Sequence, residues 1–226
     1  MINPFGLILT IVLYKLAERL KKISFLSKLP PLLFAGLGII LVLKIFNIDF
    51  ETYNESASYL TFLLIPATIS LGYPLYKNIH LLTKYKRVIY SAFLFATICA
   101  IITTYITAKF CHTDLNIIVS LLPKSVTAPI AVEISKSLGG IPELTACIVM
   151  LTGVFGAILG HKILEYIKVK NDIAIGLSIG AASHVLGTSS CIEKGREKQI
   201  VMATLALIFV GILTAILIPI FMHYVK

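Results

Sequence analysis

Two stretches carry most of the side chains that could do chemistry in this chain. The first reads Pro123-Lys124-Ser125-Val126-Thr127-Ala128-Pro129 and is followed by Glu133. The second runs from Gly180 through Ser183-His184 to Gly187-Thr188-Ser189. Pro123 and Pro129 each lack a backbone donor and break a helix. Such a break frees amides and carbonyls that protein, water or ligand must satisfy. Lys124, Ser125 and Thr127 add a cation and two hydroxyls, and a half-helix starts at Pro129. That set suits a carboxylate, because the positive helix end and the ammonium both favour an anion. In the second stretch, glycine and serine let two backbones approach closely. His184 titrates near neutral pH and is a candidate for substrate contact or proton coupling, as is Glu133 for coupling. The structural alternatives are a Lys124 that snorkels to a headgroup and a His184 that only packs. Pro66 and Thr68, with Pro74, mark a third interrupted run that either walls the same cavity or is a kink.

These residues sit in a chain built for lipid. Apolar residues make up 58% and charged residues 14%, against about 25% charge in a soluble domain. The mean hydropathy is +0.93. A charge at bilayer depth costs ~3 kcal/mol or more, so Lys124 and Glu133 need a cavity or a partner. Apolar runs fall at about 2–14, 29–46, 57–76, 88–110, 115–138, 141–164, 173–190 and 199–222, near the ~20 residues that cross a bilayer. The expected fold is all-α and polytopic, with about six to eight hydrophobic segments, broken or re-entrant helices and an inverted repeat. Residues 1–226 read as one membrane domain: spans in 1–112, a first unit at 115–164 and a second at 173–222. Residues 1–6 lack a basic n-region, so no cleavable signal is expected.

Charge sets the orientation. The basic stretches 15–28, 77–87 and 162–171 are expected in the cytoplasm, and the acidic stretch 47–57 outside. Residues 77–87 and 162–171 share a side only if 115–138 dips into the membrane and returns. Residues 117–162 align without gaps on 175–220 at an offset of 58, pairing Ser120 with Ser178, Ser125 with Ser183 and Gly153 with Gly211. Inverted repeats with interrupted helices at their interface are a transporter pattern. The net charge of +9 fits anionic headgroups, and nucleic-acid binding is not expected. Cys99, Cys111, Cys147 and Cys191 lack metal-ligand spacing, so neither a metal nor a cofactor is expected. Enzyme motifs such as G-x-S-x-G, H-E-x-x-H and the P-loop do not occur. His161 reads as interfacial, Gly153, Gly156 and Gly160 as close-packing positions, and Asn3-Pro4 as a helix start.

The two blocks, with Gly139-Gly140-Ile141-Pro142, Asn3-Pro4, Leu63-Leu64-Ile65-Pro66-Ala67-Thr68 and Pro74-Leu75-Tyr76-Lys77, resemble the LrgB/CidB family over nearly the whole chain. The resemblance implies a multi-pass protein of the bacterial cytoplasmic membrane, holin-like or antiholin-like, linked to murein hydrolase control and cell lysis. It also implies a smaller LrgA/CidA-type membrane partner, and a homo-oligomer is expected. Plant relatives are plastid glycolate/glycerate transporters, and bacterial pairs are implicated in pyruvate movement. The family blocks fall on Lys124, Ser125, Thr127 and Pro129 and on Ser183, His184, Gly187 and Thr188. The chain departs from the family in Ser189-Ser190-Cys191-Ile192-Glu193 and in Gly72-Tyr73, which bears on the substrate. The leading reading is a secondary transporter of small monocarboxylates through a midplane site, and the alternative is a holin/antiholin-like lysis regulator acting by assembly with the smaller partner.

Overall fold

The computed structural model describes residues 3–20, 31–63, 66, 69–70, 72–77 and 86–225. These residues are helices and short turns. Two compact units divide the chain, Met1–Ser70 and Leu71–Lys226.

The first unit holds α1 (Phe5–Leu20), α2 (Pro31–Ile45) and α3 (Phe50–Phe62). Asn3 Oδ1 accepts the Phe5 amide at 3.1 Å and starts α1, as Asn3-Pro4 suggests. Gly6 lies against the Tyr53 carbonyl, where a β-carbon would not fit. The Thr10 hydroxyl and the Tyr53 hydroxyl meet at 2.8 Å beside this contact. The acidic stretch 47–57 is not a loop throughout. Helix α3 begins at Phe50 and places Glu51 in its first turn, where the positive helix end favours a carboxylate.

The second unit contains α4 (Gly72–Lys77), α5 (Lys86–Phe110), α6 (Leu115–Leu121), α7 (Ala128–Leu138), α8 (Pro142–Tyr166), α9 (Asp172–Glu193) and α10 (Glu197–Val225). Among the described residues, four helices are long and apolar enough to cross a membrane: α5, α8, α9 and α10. Length misleads for α9. Its backbone leaves helical geometry at Ser183 (φ −133°, ψ 16°) and His184 (φ 42°, ψ −135°). Past that point the chain folds back. Cys191 on the returning leg clusters with Ile175 and Ile179 on the entering leg, and Gly187 lies against Ile179. Helix α9 is therefore a hairpin with both ends at one end of the bundle.

Helices α6 and α7 form the matching hairpin. Ile118 and Leu122 share a cluster with Ile134 across the turn. Ser120 Oγ accepts the Ile141 amide at 2.7 Å, so the chain leaves where it entered. Gly139 closes α7 in the left-handed region at φ 83°, which glycine adopts without a Cβ penalty. The two hairpins open at opposite ends of α10. The first packs on Ile218 and Met222, and the second on Gln199, Met202 and Ala203.

Helix α5 runs parallel to α10. Phe93 stacks on Phe209 and Tyr105 meets Phe221 edge-on. Lys86 and Arg87 at the start of α5 therefore lie toward the same end as the turn at 167–171, and the doubling back of 115–138 is the reason. The long helices make room for the tips. A β-carbon on Gly153 of α8 would meet His184 of the second hairpin at 2.6 Å, and one on Gly211 of α10 would meet Ile130 of the first at 3.3 Å. Helices α8 and α10 thus each admit the hairpin that precedes the other, through glycines that the offset of 58 pairs.

Candidate functional site

The hairpin tips meet beside a cavity of about 360 Å³. Lys124 and Ser125 from the first tip line it, with Ser178 and Ser183 from the second and Thr152 from α8. Ala96 and Ala100 of α5, Phe155 and Gly156 complete an apolar wall. Five polar side chains from three elements therefore converge on one space. The volume lies toward the small end of the roughly 300–1,000 Å³ typical of ligand sites.

The local sequence explains each placement. After α6 the chain turns through Leu122–Val126, held by Lys124 N to Leu121 O at 3.2 Å and Val126 N to Pro123 O at 3.3 Å. This turn projects Lys124 while burying Leu122 and Val126. Thr127 then caps α7 with extended backbone, and Pro129 falls in the first turn, where its missing donor costs nothing. At the second tip, Ser183 is buried and rests directly on Gly156. Both returning legs start at a tip, so both present helix N-termini toward the middle of the bundle, a favourable setting for an anion.

Lys124 also borders a second cavity of about 440 Å³. Thr103, Thr104, Thr107 and Thr113 line that space, at the end of α5 away from the basic turns. The Thr104 hydroxyl is buried and has no partner among the described residues. Among those residues no carboxylate lies within ion-pair distance of the Lys124 amine.

The remaining residues named from the sequence lie elsewhere. His184 is buried, and its Nε2 donates to the Val149 carbonyl at 2.9 Å, so the ring anchors the tip to α8 and does not line the cavity. Thr188 Oγ1 donates to the His184 carbonyl at 2.9 Å, and Gly187 fits tightly against Ser183; both shape the bend. The Thr127 hydroxyl is buried and unpartnered among the described residues. Glu133 is exposed on α7 and borders neither cavity. Pro66 is exposed in the first unit, and Thr68 lies outside the described residues. Sequence reasoning passed over Thr152 and Ser178 as cavity residues. Ser178 carried a signal, since it pairs with Ser120 at the repeat offset, whereas Thr152 carried none.

Residues 10–224 match the model of the LrgB-like family. A protein of Bacillus mycoides named "Antiholin-like protein LrgB" is 38% identical over 223 residues, covering 98% of this chain and 96% of that protein. A Bacillus cereus protein of the same name matches at the same identity and coverage. No solved structure matches the chain.

Proposed function

The chain belongs to the LrgB family of membrane proteins, and from that premise and the cavity at the hairpin tips we propose that it is a secondary transporter of small monocarboxylates. One observation carries the reading: Lys124, without an acidic partner among the described residues, shares a cavity with Ser125, Thr152, Ser178 and Ser183. A cation held at bilayer depth without a counter-charge is stabilised by an anion that comes and goes. The ammonium binds the carboxylate. The hydroxyls of Ser125, Ser178 and Ser183 take the α-oxygen of a pyruvate-, glycolate- or glycerate-type substrate. Two hairpins entering from opposite ends match the way secondary transporters build a midplane site. The threonine-lined cavity beside Lys124 serves as the approach from one side. The residue next to a tip that can exchange a proton is His184, with its ring on Val149; Glu133 is too far out on α7 to border the site. The membrane is the bacterial cytoplasmic membrane.

The relatives' name, antiholin-like, favours a second reading, a regulator of murein hydrolase activity and cell lysis; the reading adds assembly with a small LrgA/CidA-type partner. Proteoliposomes separate the two. Transport predicts saturable uptake of labelled pyruvate, glycolate or glycerate with no release of an encapsulated dye. Dye release that persists in the Ser125→Ala/Ser183→Ala variant indicates a pore and sinks the site.

A further inference from the structure

Away from the hairpin tips, a pocket of about 430 Å³ opens where α8 turns into α9 and α9 turns into α10. One turn contributes Lys168 and Lys170, and the other contributes Lys194 and Arg196. Among the described residues, Glu165 is the one carboxylate on its wall. The floor is the side chain of Gln199, which is buried and held from both sides. Its Nε2 donates to Asp172 Oδ1 at 2.7 Å, and its Oε1 accepts from His161 Nε2 at 3.2 Å. Arg196 donates to the same Asp172 oxygen at 3.3 Å. Asp172 is thus committed to Arg196 and Gln199. Lys168, Lys170 and Lys194 have no acidic partner among the described residues.

Basic residues at this end satisfy the orientation rule wherever they stand. That rule does not require them to converge on a concave site with an ordered polar floor. Convergence of like charges from two turns raises their mutual repulsion, and a polyanion bound between them relieves it. Basic pockets between membrane helices are suited to phosphate headgroups. We propose that this pocket binds a phosphate group, of an anionic lipid or of a soluble phosphate compound, and that the bound group ties together the two turns at the base of the second hairpin. Phosphate is favoured over a carboxylate because three ammoniums without an acidic partner among the described residues match a group with several charged oxygens. The inference uses none of the residues at the hairpin tips and stands whether or not the chain transports carboxylates.

The test uses the purified full chain and follows its thermal unfolding by circular dichroism. In one arm, inorganic phosphate is titrated in detergent against chloride at equal ionic strength. In the other, the protein sits in nanodiscs of phosphatidylcholine with or without phosphatidylglycerol. A rise in Tm with inorganic phosphate identifies a soluble ligand. A rise with phosphatidylglycerol alone identifies a lipid. In either case the Lys168→Gln/Lys170→Gln/Lys194→Gln variant should bind at least about tenfold more weakly, since it loses three charge-assisted contacts to the anion. Its Tm without ligand should not fall, because these lysines are exposed and their removal relieves the repulsion in the empty pocket. Glu165→Gln should bind more tightly. No rise in either arm, or an equal rise in the triple variant, overturns the proposal.

Discussion

Gly156 and Gly160 lie one turn apart on α8, and the fold predicts opposite outcomes when each is replaced by alanine. In an open helical position, Gly→Ala gains roughly 0.5–1 kcal/mol. At Gly160 the added β-carbon meets Ile179 Cγ1 at 3.6 Å, an ordinary contact. Gly160→Ala should therefore stabilise the protein and raise Tm by ~1–4 °C. At Gly156 the β-carbon would fall on the Ser183 side chain. Overpacking costs about 1–3 kcal/mol, which outweighs the helical gain and pushes the second tip off α8. The two variants should differ by about 2 kcal/mol, or ~4–8 °C in Tm for a chain of this size. Because Ser183 lines the cavity, Gly156→Ala should also depress carboxylate uptake. With Ser183→Gly added, only the Ser183 backbone remains nearby, its α-carbon at 3.6 Å. The double variant should recover most of the lost stability without the lost uptake. Circular dichroism melts of the four proteins decide the matter. If Gly156→Ala stabilises as much as Gly160→Ala, or if Ser183→Gly gives no rescue, the hairpin tip does not rest where the fold places it.

Other consequences concern the ends and the anchors. In a background whose only cysteine replaces Tyr166, which is 87% exposed, an impermeant maleimide should label from the cytoplasmic side. In a second background retaining only the exposed Cys111, it should label from the opposite side. Labelling of both from one side contradicts the hairpin path of 115–138. His184→Ala removes the bond to Val149 and part of a buried ring, for an expected loss of ~1–3 kcal/mol in thermal stability. Its KM for carboxylate should change little, and a KM effect as large as that of a Lys124 variant would return His184 to the cavity. Gly6→Ala forces a β-carbon onto the Tyr53 carbonyl and should cost about 1–3 kcal/mol. Limited proteolysis across α1–α3 checks it, and unchanged resistance counts against that packing.

What the sequence revealed, and what it hid, follows from physics. The breaks at 123–129 and 183–189 stand out because proline, lysine and histidine are costly in an apolar run, so each demands a reason. The hairpin of 115–138 was legible because two basic stretches share a side only if it turns back. The reversal in α9 was legible as a break at 183–189 and through the offset of 58, but its exact place was not, since the bend lies in the backbone dihedrals of Ser183 and His184. Thr152 and Ser178 escaped notice because a single hydroxyl on a span can bond its own backbone and needs no site to explain it. His184 drew attention by its chemistry, yet the fold turns its ring toward a carbonyl of α8. Glu133 looked internal by depth alone, and the face it occupies on α7 depends on a helix phase that only the packed hairpin sets.

Carboxylate recognition by Lys124 is the central claim, and the concentration dependence of labelled pyruvate, glycolate and glycerate uptake tests it most directly. Replacing Lys124 by Gln keeps a polar side chain of similar reach and removes the charge. A hydrogen bond to a charged group is worth ~1.5–3 kcal/mol, so KM for the transported carboxylate should rise by roughly 10- to 150-fold, with protein yield and Tm preserved. Saturable uptake with the same KM in Lys124→Gln and the native chain would contradict the account.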